Sequence, residues 1–181
     1  DSPISTEPID IEAAVKLFAK NVDHPGLNPA SGGHLAYIPG GGVYYSSLGD
    51  YLAAITNRYA GVFYASPGAV RMTNMLIDWM AGIAGYPSTA GGNLLSGGSL
   101  ANLTAIVAAR DAHGLKGKDY ESAVVYSTEQ AHHCLDKAIR ISGLGECVRR
   151  QIPVDARYRM DLNALREQVE RDRVEGLRPW L

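Results

Sequence analysis

Residues 123–153 read AVVYSTEQAHHCLDKAIRISGLGECVRRQIP, and this stretch decides the fold class. Ala123–Tyr126 is a short apolar run of the length of a buried strand. Glu129–Ser142 follows as a helix, with Ser127 and Gln130 in a capping-box pattern ahead of it and Gly143 just past its end. Cys147–Pro153 reads as a second strand. Strand, helix and strand in so short a span make a parallel βαβ unit.

The same alternation continues outward in both directions. Upstream, a short strand over Asn93–Leu95 leads into a helix over Ser99–His113, stopped by Gly114. Downstream, Asp161 caps a helix over Leu162–Glu175, and Gly176 ends it. Leu177-Arg178-Pro179-Trp180-Leu181 then reads as the approach to a further strand that the sequence does not supply. The expectation is an α/β fold whose parallel sheet is cut mid-pattern, within a longer polypeptide.

The first part of the chain is organised differently. Ile9–Val22 places Ile11, Ala14, Val15 and Phe18 near helical spacing, the pattern of an amphipathic arm that needs a surface to pack on. His24–Ser47 is rich in Gly and Pro and carries Tyr37, Tyr44 and Tyr45 in a long irregular loop. A helix is expected over Leu48–Tyr59. Another opens at Ser66-Pro67, gathers Met72, Leu76, Trp79, Met80 and Ile83 near one face, and ends at Gly85. The predicted division is residues 1–60 as arm and loop and residues 61–181 as the first part of a larger α/β domain.

With 181 residues, 46% hydrophobic and 20% charged, the chain has enough apolar content for one sizeable core. Its formal charge of −2 provides no basic field for nucleic acid or an anionic membrane. No apolar run reaches the ~20 residues of a membrane span, and the first residues lack the order of a secretory signal. Cys134 and Cys147 are the two cysteines, without CxxC spacing, and read as free thiols of a reducing cytoplasm.

Two segments carry the chemistry. In residues 91–102, GGNLLSGGSLAN, glycines lead from a strand into a helix start, where backbone N–H groups face an anion. Gly97 and Gly98 permit a tight turn and a close backbone approach, while Ser99 either caps the helix or donates its hydroxyl to a phosphate. The same pattern also suits a turn that holds no ligand. It is neither the GxxxxGK[ST] of a nucleotide loop nor GxGxxG, and it lacks the last glycine of GxSxG. The second segment, Ser127–His133, again follows a strand. Ligands of open α/β sheets bind outside the carboxyl ends of strands, so both segments fall on one edge. His132-His133 alone makes a weak metal site, since adjacent helical residues diverge and no further ligands complete it, so no metal is expected; as a plain structural pair, one histidine is packed and the other solvated.

Taken in order, these pieces resemble the group II pyridoxal-phosphate (PLP) dependent amino acid decarboxylases, the family of the aromatic-amino-acid and glutamate decarboxylases. The matching residues are His24-Pro25 and Tyr37-Ile38-Pro39, Ala65-Ser66-Pro67 and Ile77-Asp78-Trp79, Ser96-Gly97-Gly98-Ser99-Leu100-Ala101-Asn102, Ser127-Thr128-Glu129-Gln130-Ala131-His132, and the closing Asp172-Arg173-Val174-Glu175-Gly176-Leu177-Arg178-Pro179. The resemblance covers nearly the whole chain and corresponds to the N-terminal part of such an enzyme. It implies the PLP-dependent transferase-like fold (fold type I).

The resemblance further implies the site. Gly97, Gly98 and Ser99 bind the cofactor phosphate, His132 stacks on the pyridine ring as the catalytic histidine, and Tyr37 and Pro39 border the substrate pocket. The implied activity is decarboxylation of an L-amino acid, aromatic or of similar size, through a Schiff base. An aldehyde synthase or lyase on the same fold, or a non-catalytic module binding a phosphate ligand, is the alternative. None of Lys16, Lys20, Lys116, Lys118 and Lys137 lies in the family's histidine-lysine motif. The Schiff-base lysine is therefore expected from a C-terminal portion. A homodimer, with the active site at its interface, is implied as well. The chain departs from many relatives at Arg71, which leaves substrate choice open.

Overall fold

The computed structural model describes residues 4–38 and 40–181. The chain divides into two compact units, Asp1–Asn74 and Met75–Leu181.

In the first unit, helix α1 spans Ile11–Phe18 and continues as a π-helical turn over Ala19–Asp23, close to the expected helix. Asp10 starts it, its carboxylate accepting the N–H groups of Glu12 and Ala13 at 3.0 and 3.1 Å. Ile11, Val15 and Phe18 stay exposed. The Gly/Pro-rich loop runs to Val43, where α2 (Tyr44–Thr56) begins earlier than the expected Leu48. The carbonyl of Val43 accepts the N–H groups of both Ser46 and Ser47, which closes the first turn ahead of Leu48. Asn57 ends α2 in the left-handed region, at φ 42°. Helix α3 (Pro67–Ala84), which begins in the first unit and ends in the second, opens on proline at its first position as expected, where no N–H is needed.

The second unit holds the sheet. Helix α4 (Gly98–Ala112), strand β1 (Ala123–Ser127), helix α5 (Cys134–Ile141), strand β2 (Val148–Gln151), helix α6 (Leu162–Val174) and strand β3 (Arg178–Pro179) follow in order. The strand order is β2-β1-β3, and both pairings are parallel. Val124 and Tyr126 face Val148 and Arg150 across the β1–β2 ladder. Gly114, Gly143 and Gly176 sit at φ 61°, 77° and 78°, each just beyond a helix end, as their positions in the sequence predict.

The two faces of the sheet are covered by different helices, because alternate strand residues point to opposite sides. Ala123 and Val125 pack with Ile106 of α4 and Ala138 and Ile139 of α5, together with Leu115, Leu144 and Cys147. Val124, fully buried, and Tyr126 point to the other face, where the Tyr126 hydroxyl donates to Asp172 of α6 at 2.8 Å. Thus the connection from β1 to β2 crosses one face and that from β2 to β3 crosses the other. The direction of winding reverses at β1, the topological switch point whose carboxyl end is the usual ligand site of such sheets.

Asp172 is fully buried and satisfied. It accepts Nε and Nη2 of Arg150 at 2.9 and 2.7 Å and Nε2 of Gln168 at 3.1 Å, besides the tyrosine hydroxyl. Burial pushes its carboxyl up, but the hydrogen bonds from Arg150, Tyr126 and Gln168 and the Arg150 charge outweigh that and hold it below its ordinary value. The Tyr126 hydroxyl is pushed up, by burial first and by its bond to Asp172 second.

Five expectations are corrected. Among the described residues no strand pairs with Asn93–Leu95, and an extended segment without a neighbour to complete its ladder is not a strand. Ser99 does not cap α4: Gly97 occupies that position and the serine lies in the first turn. Helix α5 starts at Cys134 rather than Glu129, since Ser127 is held in the sheet by its carbonyl, which accepts the Ile152 N–H at 2.7 Å, and the Ser127–Gln130 capping box does not form. The run after Gly176 does supply a strand: β3 pairs with β1, and the Tyr126 N–H reaches the carbonyl of Leu181 at 2.8 Å. Finally, the two adjacent histidines are both exposed, where one packed and one solvated ring were expected.

Candidate active site

The carboxyl end of β1 and the amino end of α4 supply the candidate site. Gly97 precedes α4 at φ 158° and ψ 170°, a setting that residues with a side chain rarely adopt. It turns the chain so that α4 begins at once. The first backbone bond recorded into the helix is from the Ala101 N–H to the Gly97 carbonyl, at 3.1 Å. Among the described residues no acceptor meets the N–H groups of Gly98, Ser99 and Leu100. Three free donors on a helix of 15 residues, with the Ser99 hydroxyl beside them, suit an anion by hydrogen bonding and by the helix dipole. A Cβ placed on Gly97 or Gly98 meets nothing within 4 Å, so ligand atoms have free access to the turn.

His132 lies in the turn between β1 and α5. Its Nδ1 accepts the backbone N–H of Cys134 at 3.1 Å, which leaves the proton of the neutral ring on Nε2. The rings of His132 and His133 lie 4.0 Å apart and are tilted by 34°. Their exposure follows from the late start of α5: residues 128–133 form turns instead of a helix that buries one face.

The structure joins the two halves of the site through a residue to which the sequence alone assigns no role. The side-chain Nδ2 of Asn102 donates to the Gly98 carbonyl at 2.8 Å and to Cys134 Sγ at 3.5 Å. Gly98 and His132 are thereby connected through Asn102 and Cys134. The available signal was the spacing of four between Gly98 and Asn102, one turn of helix, but the contact with Cys134 spans 32 positions and has no local signature.

Of the remaining site residues, Tyr37 belongs to the first unit, is exposed, and adopts a left-handed φ of 65°. Pro39 lies outside the described residues. Both cysteines are free, as expected; both are also buried, and burial pushes the Cys147 thiol up.

The donor set fits the phosphate of PLP: three backbone N–H groups and a hydroxyl at a helix start, with a flat imidazole near the same strand end. Neither residues 91–102 nor residues 127–134 contain a lysine, so these segments would hold the cofactor without a covalent link to it.

Comparison with known proteins agrees with this fit. The pyridoxal-dependent decarboxylase conserved domain matches residues 9–181. The chain is 34% identical to an aromatic-L-amino-acid decarboxylase of Bacillus atrophaeus over 160 residues, 88% of this chain and 32% of the relative. It is 31% identical to a phenylacetaldehyde synthase of Petunia hybrida, over 98% of this chain and 37% of that protein. The crystal structure of Oryza sativa TDC with PLP and tryptamine superposes with a TM-score of 0.84 at 28% identity, covering 99% of this chain and 42% of that one. The chain therefore spans about a third of the length of these curated relatives. By the extent of the domain match and by the fold, the chain belongs to the pyridoxal-dependent decarboxylase family.

Proposed function

We propose that the protein to which this chain belongs removes the α-carboxylate of an aromatic L-amino acid. One observation carries the reading: the free N–H groups of Gly98, Ser99 and Leu100 and the His132 ring are joined near the carboxyl end of β1, the switch point of the sheet. Bound PLP supplies there an electron sink for the bond to the departing carboxylate.

The residues of this chain bind and orient. The first turn of α4 takes the phosphate, with Gly97 setting the direction of approach and Ser99 adding its hydroxyl. His132 offers a ring face for stacking and a proton on Nε2, its other nitrogen being occupied by Cys134. The lysine that would link the cofactor lies outside residues 91–102 and 127–134.

The reading includes a homodimer, supported by the apolar face of α1, where Ile11, Val15 and Phe18 stay exposed. It includes a cytoplasmic location, supported by the two free thiols. The Petunia relative favours aldehyde formation as a second reading.

Product analysis of the intact protein with PLP and L-tryptophan, L-tyrosine or L-phenylalanine tests the proposal, alongside intact mass after borohydride reduction. The expected result is an amine with equimolar carbon dioxide, and one cofactor mass retained. An aldehyde with carbon dioxide, ammonia and hydrogen peroxide, formed as dioxygen is consumed, selects the second reading. Absence of turnover together with absence of a retained cofactor overturns both and leaves a phosphate-binding module.

A further inference from the structure

Asparagine is a poor choice for a helix interior, because its side chain competes for backbone partners. Asn102 nevertheless stands in the second turn of α4, half-buried. A side-chain amide nitrogen carries two hydrogens, and both have an acceptor here: the Gly98 carbonyl at 2.8 Å and Cys134 Sγ at 3.5 Å. Serine or threonine has one hydroxyl hydrogen and makes only one of these bonds at a time. Cys134 in turn is buried at the first position of α5, and its N–H holds His132 through Nδ1 at 3.1 Å.

We propose that Asn102 is a positioning residue that fixes His132 relative to the phosphate-binding turn, by bridging the Gly98 carbonyl to the Cys134 thiol. The inference rests on the roles assigned above to Gly98, Ser99 and His132. It adds to them a mechanical reason why a ring on one loop and an anion turn on another helix stay in register. Without the bridge, the α4–α5 core still packs through Ile106, Ala138 and Ile139. What is lost is the fixed distance between the two ends of the cofactor site.

The test uses the intact protein with PLP and compares N102A, C134A, the double variant, N102T and H132N. Alanine favours helix at position 102, so α4 is retained in N102A. Three quantities are read: kcat, KM, and the circular dichroism of bound PLP per mole bound, which reports the asymmetry of the ring's surroundings. N102A is expected to lower kcat on the order of tenfold, the scale of a small misplacement of reacting groups. KM changes little, and the cofactor dichroism falls. C134A is expected to do the same, and the double variant to be no worse than either, since both remove one bridge. N102T, which regains only the bond to Gly98, stays impaired.

Wild-type kcat and dichroism in N102A overturn the inference, as do effects of N102A and C134A that multiply, or full recovery in N102T. If N102A is insoluble, C134A and its dichroism decide alone. H132N separates the layers. Loss of turnover in H132N with none in N102A rejects the bridge and keeps the site; wild-type turnover in H132N rejects the role of His132 itself.

Discussion

The hydroxyl of Tyr126, on the central strand, donates at 2.8 Å to the carboxylate of Asp172, a residue 46 positions later on α6 that has no exposed surface. Arg150, opposite Tyr126 in the ladder, completes the neutralisation of that carboxylate. Strand order and helix docking are thus coupled in one polar contact beneath the sheet. Asp172→Ala leaves the tyrosine hydroxyl without its partner and Arg150 with only its longer contact to Glu175, at 3.5 Å. Because the Arg150 side chain is 31% exposed and recovers some water, the expected loss is about 2–3 kcal/mol, below the full cost of breaking a buried pair. Urea unfolding of the intact protein measures it, and an unchanged midpoint contradicts the assignment.

The same carboxylate sets a pH dependence. Its folded-state value lies below the ordinary 3.8, so folding favours the ionised form. The stabilisation is fully present above the ordinary carboxylate range and is lost as pH falls through the lowered value. The stability difference between wild type and D172A is therefore constant from about pH 6 to 8 and shrinks below about pH 4. A difference that widens in acid would falsify this sign.

Ser99 lies inside α4 and does not cap it, so Ser99→Ala separates binding from folding. Loss of a capping serine costs about 1 kcal/mol; here the expected change in stability is under about 0.5 kcal/mol. PLP affinity is expected to fall roughly three- to tenfold, the worth of one hydrogen bond. Fluorescence titration with PLP and thermal melting, on the same preparation, check the two halves.

His132→Asn retains an oxygen able to accept the Cys134 N–H, since asparagine makes this local turn readily. The substitution removes the ring and keeps the loop. Turnover is expected to drop on the order of 100-fold, with PLP affinity changed by less than about tenfold. Equal losses in turnover and affinity would place His132 in cofactor binding alone.

The elements with period and punctuation inside their own span were legible. The βαβ alternation, the cap at Asp161, the proline start of α3 and the glycines after α4, α5 and α6 all stand where the residues place them, because those signals act within one turn of chain. The glycine turn and the segment Ser127–His133 stood out on local signals, apolar runs leading into helix starts, whereas the role of His132 came from the family resemblance.

The misread elements depended on distant partners. Asn93–Leu95 has the composition of a strand but no neighbouring ladder, whereas Arg178–Pro179 has little strand character and becomes one because β1 receives it. Ser127 looks like a cap until the Ile152 N–H claims its carbonyl. The sequence by itself determined the α/β class and the residues that can meet a phosphate and a ring, since periodicity, glycine placement and hydroxyl chemistry are local. Tertiary structure alone decided that β1 is the switch strand, that Asp172 is buried under it, and that Asn102 joins Gly98 to Cys134 beside His132. Those contacts bridge tens of residues, and only the packed core brings their ends together.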